Sequence, residues 1–333
     1  MAFDEAHALR NPDAKRTIAL LGNAERRPVR GRYSIAMTGT PIMNRPADLF
    51  PMLRWLDPGR WTDFDAFAHR YCGAGMTAFG LDTSGATNTA YLQALLRGTV
   101  MVRRLKRDVL KDLPPKMRTV AVLEHDASAA SLIEADRRNT PSDEVLTTAL
   151  DGMDGGAEIE GMAAYAESRH AAALAKMPAV VDYVLALEGK AIVFAHHRDV
   201  IEAVRAGLGT DIPRIVGGQA PESVEADKHR FQSDLGCRFI VCSIRAAGVG
   251  HTLTAADHVV FAELDWVPAV LSHAEDRAHR IGRVGAVQIH HVVLDGSLDH
   301  AIARALVRKQ AAADRLLNTA VHGADEWPIE DWF

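Results

Sequence analysis

The spacing of apolar positions changes character along this chain. A short apolar run ends at Asp4-Glu5-Ala6-His7, and a second, Tyr33 to Thr38, closes on Thr38-Gly39-Thr40-Pro41. That is the pattern of a buried strand entering a tight loop. Residues 45–57 follow with Leu49, Met52, Leu53 and Leu56 at helical spacing. An aromatic stretch (Trp61, Phe64, Phe67, Tyr71) comes next, and residues 74–90, rich in Gly, Ala, Ser and Thr, read as a loop. The basic cluster Arg103-Arg104-Leu105-Lys106-Arg107 is closed by Leu113-Pro114-Pro115-Lys116 and leads into a strand predicted over Thr119–Leu123. Helices are predicted over 127–150 and 160–188, joined by a flexible acidic connection at Asp151–Gly156.

From about residue 190 the runs shorten and recur: Ala191–Ala195, Arg214–Val216, Phe239–Ser243, Val259–Ala262 and Ile289–Leu294. Strands alternating with helical patterning predict an α/β fold, with a parallel sheet covered on both faces. Such sheets put their ligand loops at the carboxyl ends of the strands, and Ser243-Ile244-Arg245 lies just past one of them.

Composition narrows this little. A hydrophobic fraction of 48% is ordinary for a globular protein, and 333 residues are enough for two domains. Three cysteines without a Cys-x-x-Cys pair indicate neither a disulfide framework nor a zinc site. No apolar run approaches the ~18–20 residues of a membrane helix, and the amino terminus lacks a signal pattern. These features predict a cytoplasmic protein, of prokaryotic or phage-like character, with no membrane partner. The net charge of −5 requires any nucleic-acid contact to use local basic patches. The pairs His196-His197 and His290-His291 send adjacent side chains to opposite faces of a strand, so a shared metal ion is not expected.

Four segments carry chemistry. Asp4 and Glu5, adjacent at a strand end, are of the type that divides labour between Mg²⁺ and an attacking water. The hydroxyls of Thr38 and Thr40 around Gly39 suit phosphate or water. Ser243-Ile244-Arg245-Ala246-Ala247-Gly248-Val249-Gly250 joins a strand end to a glycine loop fit for backbone contact with phosphate. In Glu275-Asp276-Arg277-Ala278-His279-Arg280-Ile281-Gly282, the two arginines stand three apart, predicting a shared helix face that clamps phosphate. Taken singly, each has a plainer reading: a solvated acidic pair, a strand-ending turn, a sharp connection, a charged surface helix.

In order and at these spacings the segments resemble the SWI/SNF-type branch of superfamily-two helicase ATPases. The carrying strings are Asp-Glu-Ala-His at 4–7, Met-Thr-Gly-Thr-Pro-Ile-Met-Asn at 37–44, Arg-Arg-Leu-Lys-Arg-Asp-Val-Leu at 103–110, Lys-Ala-Ile-Val-Phe-Ala-His-His at 190–197, Ser-Ile-Arg-Ala-Ala-Gly at 243–248 and Ala-Glu-Asp-Arg-Ala-His-Arg-Ile-Gly at 274–282. The stretch Val259–Leu264 with Trp266 resembles the annealing-helicase, fork-remodelling subfamily. The resemblance implies a motor of two RecA-like lobes that uses ATP and Mg²⁺ to move along double-stranded or branched DNA. Asp4 would hold Mg²⁺, Glu5 would activate water, and His7, Thr38, Gly39 and Thr40 would couple nucleotide state to DNA. Arg277 and Arg280 would be the arginine fingers. Gly248, Gly250 and Asp276 would line the ATP cleft, and Ser243, Arg245, His196, Arg198, Arg103 and Arg104 would contact DNA. The implied division is 1–125 for the remainder of the first lobe with a helical insertion, 126–188 for a helical linker, 189–320 for the second lobe and 321–333 for a tail.

The sequence departs from the family pattern in several places. No Gly-x-x-x-x-Gly-Lys-Ser/Thr loop occurs: Gly189-Lys190 is followed by Ala191. His273 and Arg283 stand where the family carries glutamine, Ala247 replaces a loop glycine, and Val267 replaces an asparagine. These features predict a motor whose first lobe is completed by a segment or separate polypeptide carrying the phosphate loop. The competing expectation is a non-catalytic DNA-binding remnant.

Overall fold

The computed structural model describes residues 1–23, 25–43, 45–77, 80–124, 170–245, 250–265 and 267–295, and isolated positions up to 306. The helix predicted over 127–150, the acidic connection at 151–156, Gly248 and Trp266 lie outside the described residues. The chain divides into two compact units: Met1–Arg104 forms the bulk of the first, Leu105–Leu146 and Ile159–Val307 that of the second.

In the first unit, β1 (Ala2–Phe3) and β2 (Ile35–Ala36) pair in parallel. Helices at Phe50–Leu56, Phe64–Phe67 and Thr89–Thr99 gather around an apolar core that includes Phe50, Leu53, Trp61, Phe67, Tyr71 and Leu92. The aromatic stretch is therefore a packing device: Phe67 lies with its ring centroid 5.6 Å from Trp61 and 5.1 Å from Tyr71, in the tilted and edge-on geometries aromatic pairs favour. The loop expected over 74–90 instead contains an antiparallel hairpin, β3 (Gly75–Thr77) and β4 (Gly80–Asp82), closed by the Thr77 hydroxyl donating to the Gly80 carbonyl at 2.9 Å. Its strands, three residues each, one exposed and one half-buried, have no apolar alternation for a sequence reading to detect.

The second unit is a six-stranded, all-parallel sheet of β5 (Lys116–Leu123), β6 (Ala191–Ala195), β7 (Arg214–Ile215), β8 (Phe239–Ser243), β9 (His258–Phe261) and β10 (Val287–Leu294). The spatial order is β5-β10-β9-β6-β8-β7. Every residue of β6 and β9 is buried, which is why these strands appear in the sequence as unbroken apolar runs. The strand at Thr119–Leu123, placed by the expected division within residues 1–125, begins at Lys116 and pairs along its whole length with β10. The chain leaves β6 toward β7 and leaves β9 toward β10, so these two neighbours diverge. The crevice at their carboxyl ends is the topological switch point of the sheet.

On the neighbouring strands β9 and β10 the histidines are put to structural use. His258 Nε2 lies 2.7 Å from the Glu188 carbonyl, which can only accept, so this nitrogen carries the proton. His258 Nδ1 then accepts from His290 Nε2 at 3.0 Å, and His290 Nδ1 accepts from the Tyr183 hydroxyl at 2.8 Å. One acceptor-only carbonyl fixes the direction of the whole relay. His291, the neighbour of His290, points to the opposite face, with its ring against Phe261.

Burial, reinforced by His258, pushes the pKa of His290 down to about 4. Folding thus favours the neutral ring, so its contribution is complete above the ordinary value of about 6.5 and is lost as pH falls toward about 4. A shift of this size corresponds to roughly 3 kcal/mol. Urea midpoints should fall steadily across that interval in the wild type, and the slope should flatten in His290→Gln. A wild-type midpoint that stays level there would remove the relay from the stability of this unit.

Candidate functional site

Asp4 and Glu5 sit at the carboxyl end of β1, both exposed. Glu5 adopts the left-handed conformation (φ 49°), uncommon for a residue with a side chain, and a short helix over Ala6–Leu9 starts directly after it. The Asp4 carboxylate accepts from the Glu5 amide at 2.9 Å, and neither acid pairs with lysine or arginine among the described residues. Two exposed hard oxygen donors, unneutralised by a fixed cation, fit the demands of Mg²⁺.

The acidic turn and the threonine segment are tied together. Met37 donates to the Phe3 carbonyl at 2.7 Å and Ala6 donates to the Met37 carbonyl at 2.9 Å, so the chain ends emerging from β1 and β2 are bonded in sequence. His7 completes the link: its Nδ1 is 3.1 Å from the Thr38 hydroxyl and 3.2 Å from the Glu5 carboxylate. The Thr38 oxygen also accepts from the Thr40 amide at 3.1 Å. Arg103 reaches the Gly39 carbonyl at 3.4 Å, and Arg104 is exposed. Asp4, Glu5, His7, Thr38, Gly39, Thr40 and Arg103 thus form one connected group within the first unit.

In the second unit, the helix predicted to carry Arg277 and Arg280 runs over Pro268–Glu275 and stops before either arginine. The Arg277 carbonyl accepts from the Leu253 amide at 2.9 Å, which diverts the backbone from a helical bonding pattern. The arginines are nevertheless brought together by a segment the sequence did not single out: Arg277 Nη1 reaches the His251 carbonyl at 3.5 Å and Arg280 Nη1 the Thr252 hydroxyl at 3.2 Å. Gly250, just before these contacts, has φ +69°, a conformation that favours glycine.

Glu275 and Asp276 are not solvated helix charges. Glu275 is fully buried, with its two oxygens 2.9 and 2.6 Å from Arg118 Nε and Nη2 and the second also 2.8 Å from Lys116 Nζ. Burial opposes this charge, but Arg118 and Lys116 overcome it and hold the Glu275 carboxyl far below the usual range. Asp276 pairs with Lys106 at 2.7 Å, and its carboxyl is likewise held low by Lys116 and Lys106 against burial. The Pro114 carbonyl accepts from His279 Nε2 at 2.6 Å. The stretch from Lys106 to Arg118 is therefore the platform on which the arginine segment rests.

At the switch point, Glu263 follows β9 and is buried. One oxygen accepts from the amides of His196 and His197 at 2.7 and 2.9 Å, and the other meets His197 Nδ1 at 2.7 Å. This carboxylate bonds the start of the helix Arg198–Leu208, where the dipole favours negative charge, and fixes the loop after β6. Arg198 is exposed with one nitrogen on the Gly217 carbonyl at 3.1 Å, Ser243 ends β8, and Arg245 is exposed beyond it. His196, Arg198, Ser243 and Arg245 thus share the carboxyl edge of the sheet. Arg283, one of the departures from the family pattern, bonds Asp257 at 2.7 Å and the Thr254 carbonyl at 3.0 Å.

Two parts of the chain match known domain families. Residues 1–151 match the SNF2-related domain and residues 175–282 the helicase conserved C-terminal domain. The chain is 36% identical over 345 residues to the DNA annealing helicase and endonuclease ZRANB3 of Homo sapiens, covering 99% of this chain and 31% of that protein. It is 36% identical over 309 residues to the SWI/SNF-related matrix-associated actin-dependent regulator of chromatin subfamily A-like protein 1 of Xenopus tropicalis, covering 89% of this chain and 31% of the relative. It therefore spans about a third of the length of these relatives. The C-terminal part of the Fun30 ATPase domain aligns with a TM-score of 0.42 at 15% identity, covering 66% of this chain and 95% of that one. The expectation of a prokaryotic or phage-like cytoplasmic protein is overturned: the relatives come from human, frog, fly and nematode. Lack of a leader or membrane pattern says nothing about the kingdom of origin.

Breaking a buried ion pair by removing one partner typically costs ~3–5 kcal/mol. Arg118→Met and Glu275→Gln should each destabilise the second unit by about that much, and a urea double-mutant cycle should show strong coupling. Single losses below about 1 kcal/mol would mean that the cluster does not anchor the arginine segment.

Proposed function

We propose that this chain, which belongs to the SNF2-related helicase family, is the working part of an ATP-dependent translocase acting on double-stranded or branched DNA. The observation that carries the reading is the bonded link from Glu5 through His7 to Thr38 and Thr40. A change at the acidic pair has a direct path to the threonine segment through one imidazole. Bound ATP·Mg²⁺ supplies the phosphoanhydride and the charge neutralisation for its cleavage. In this reading Asp4 would hold the metal, Glu5 would orient and deprotonate the attacking water, and Arg277 and Arg280 would offset charge on a bound phosphate. Gly250 and Asp276 would border the nucleotide, and His196, Arg198, Ser243, Arg245, Arg103 and Arg104 would follow the DNA backbone.

The phosphate loop of such motors does not occur in these 333 residues, and in our reading a further segment or a separate polypeptide supplies it. The first unit supports this. Its two-stranded parallel sheet leaves Tyr33 72% exposed, Ile35 57% and Met37 45%, and parallel strands are ordinarily covered on both faces. The name of the human relative, a DNA annealing helicase and endonuclease, supports DNA as the substrate class and annealing as a mode of action.

Turnover is expected when the chain is combined with a segment bearing Gly-x-x-x-x-Gly-Lys-Ser/Thr, and duplex DNA should stimulate it. Glu5→Gln should then lower kcat by ~10²–10⁴, and Arg277→Ala by about 10³ or more. Duplex binding that is indifferent to nucleotide, with no turnover in any combination, would instead establish a non-catalytic DNA-binding module.

A further inference from the structure

The chain carries a net charge of −5, yet residues 10–32 hold seven basic side chains against two acidic ones. Four arginines, Arg26, Arg27, Arg30 and Arg32, fall within a single loop between the helix Lys15–Leu21 and β2, and all four are exposed. None has an acidic partner among the described residues, whereas Arg118, Arg205, Arg214, Arg230 and Arg283 all do. Arg32 lies over the ring of Tyr33, itself 72% exposed. Concentrated like charge without compensation repels itself and is an expense to folding, so its retention on a fixed scaffold calls for an anionic counterpart.

The scaffold is fixed. Gly22 has φ +75°, and a Cβ there would stand 2.4 Å from the Arg26 carbonyl oxygen, so only glycine closes the turn. Asn23 receives the amides of Glu25 and Arg26 at 3.0 and 2.8 Å, and its own amide donates to the Arg26 carbonyl at 2.9 Å. Val29 donates to the Leu20 carbonyl at 2.9 Å and accepts from the Trp55 indole at 3.0 Å. The terminal ammonium of Met1 donates to the Tyr33 carbonyl at 2.7 Å. The loop also stands apart from the motor residues. It enters β2 at the amino end, while Asp4 and Thr38 leave β1 and β2 at the carboxyl ends of the same parallel pair.

We infer that Arg26, Arg27, Arg30 and Arg32 form a second nucleic-acid surface, which grips the phosphate backbone of duplex DNA at the end of the first unit opposite its catalytic turn. Guanidinium forks match phosphate geometry, and the backbone bonds present them without the ordering cost of a flexible tail. The choice of DNA over an acidic protein rests on the motor reading.

The test is fluorescence anisotropy of the 333-residue chain with a duplex of about 30 base pairs across a salt series. R26Q/R27Q/R30Q should raise Kd by roughly tenfold or more and reduce the slope of log K against log salt by about two to three, with an unchanged thermal midpoint. R26K/R27K/R30K, which keeps the charge, should keep most of the slope, and polyglutamate should compete poorly. The inference is overturned if the glutamine variant binds with wild-type affinity and slope, if the lysine variant fails as badly as the glutamine one, if polyglutamate displaces the duplex, or if the wild type binds no duplex. Should the loop variants be silent while Arg245→Ala weakens binding, the loop assignment falls and the motor reading stands.

Discussion

A carboxylate with no access to water organises the second unit. Glu275 is expelled from solvent and neutralised by Arg118 and Lys116, both projecting from the edge strand β5. Desolvating a charge costs several kcal/mol, and only close, multiply bonded partners offset it. That requirement locks the end of the helix Pro268–Glu275 to a strand more than 150 residues earlier in the chain. The residues that follow inherit their position: Asp276 meets Lys106, His279 meets the Pro114 carbonyl, and the two arginines settle on His251 and Thr252. A segment exposed enough to act on a ligand is thereby given a fixed base.

The same device recurs at the switch point of the sheet. Glu263 is spent inward, on backbone amides of the loop after β6, and leaves His196 and Arg198 oriented at the edge. Besides the surface ion pairs, two kinds of charge stand out among the described residues. Those that are buried hold loops in place and are fully partnered. Others are exposed and have no lysine, arginine or carboxylate partner among the described residues, Asp4 and Glu5 and the arginine loop at 26–32 among them. The distinction depends on desolvation: a buried charge is committed to its protein partner, while a solvated one retains free energy to exchange water for phosphate or metal.

How much could be read in advance depends on the kind of signal. Ala191–Ala195 and Phe239–Ser243 were legible to the residue because a strand buried on both faces leaves an unbroken apolar run. The hairpin at residues 75–82 was not, since its strands are only three residues long, each with a glycine, and none of their residues is buried. The spacing of Arg277 and Arg280 suggested a helical face, and the helix ended two residues too soon for it. No local pattern announces that the Leu253 amide will take the Arg277 carbonyl, and nothing near Glu275 in the sequence points to Arg118.

The sequence by itself determined the class of fold, the order of the motif segments and the set of candidate groups, because these depend on local apolar periodicity and on which side chains are present. Only the tertiary structure decided which of those groups are free for ligands and which are consumed in support. That decision turns on burial and on partners far away in the chain, and the free energy of a charge is set by what surrounds it in space.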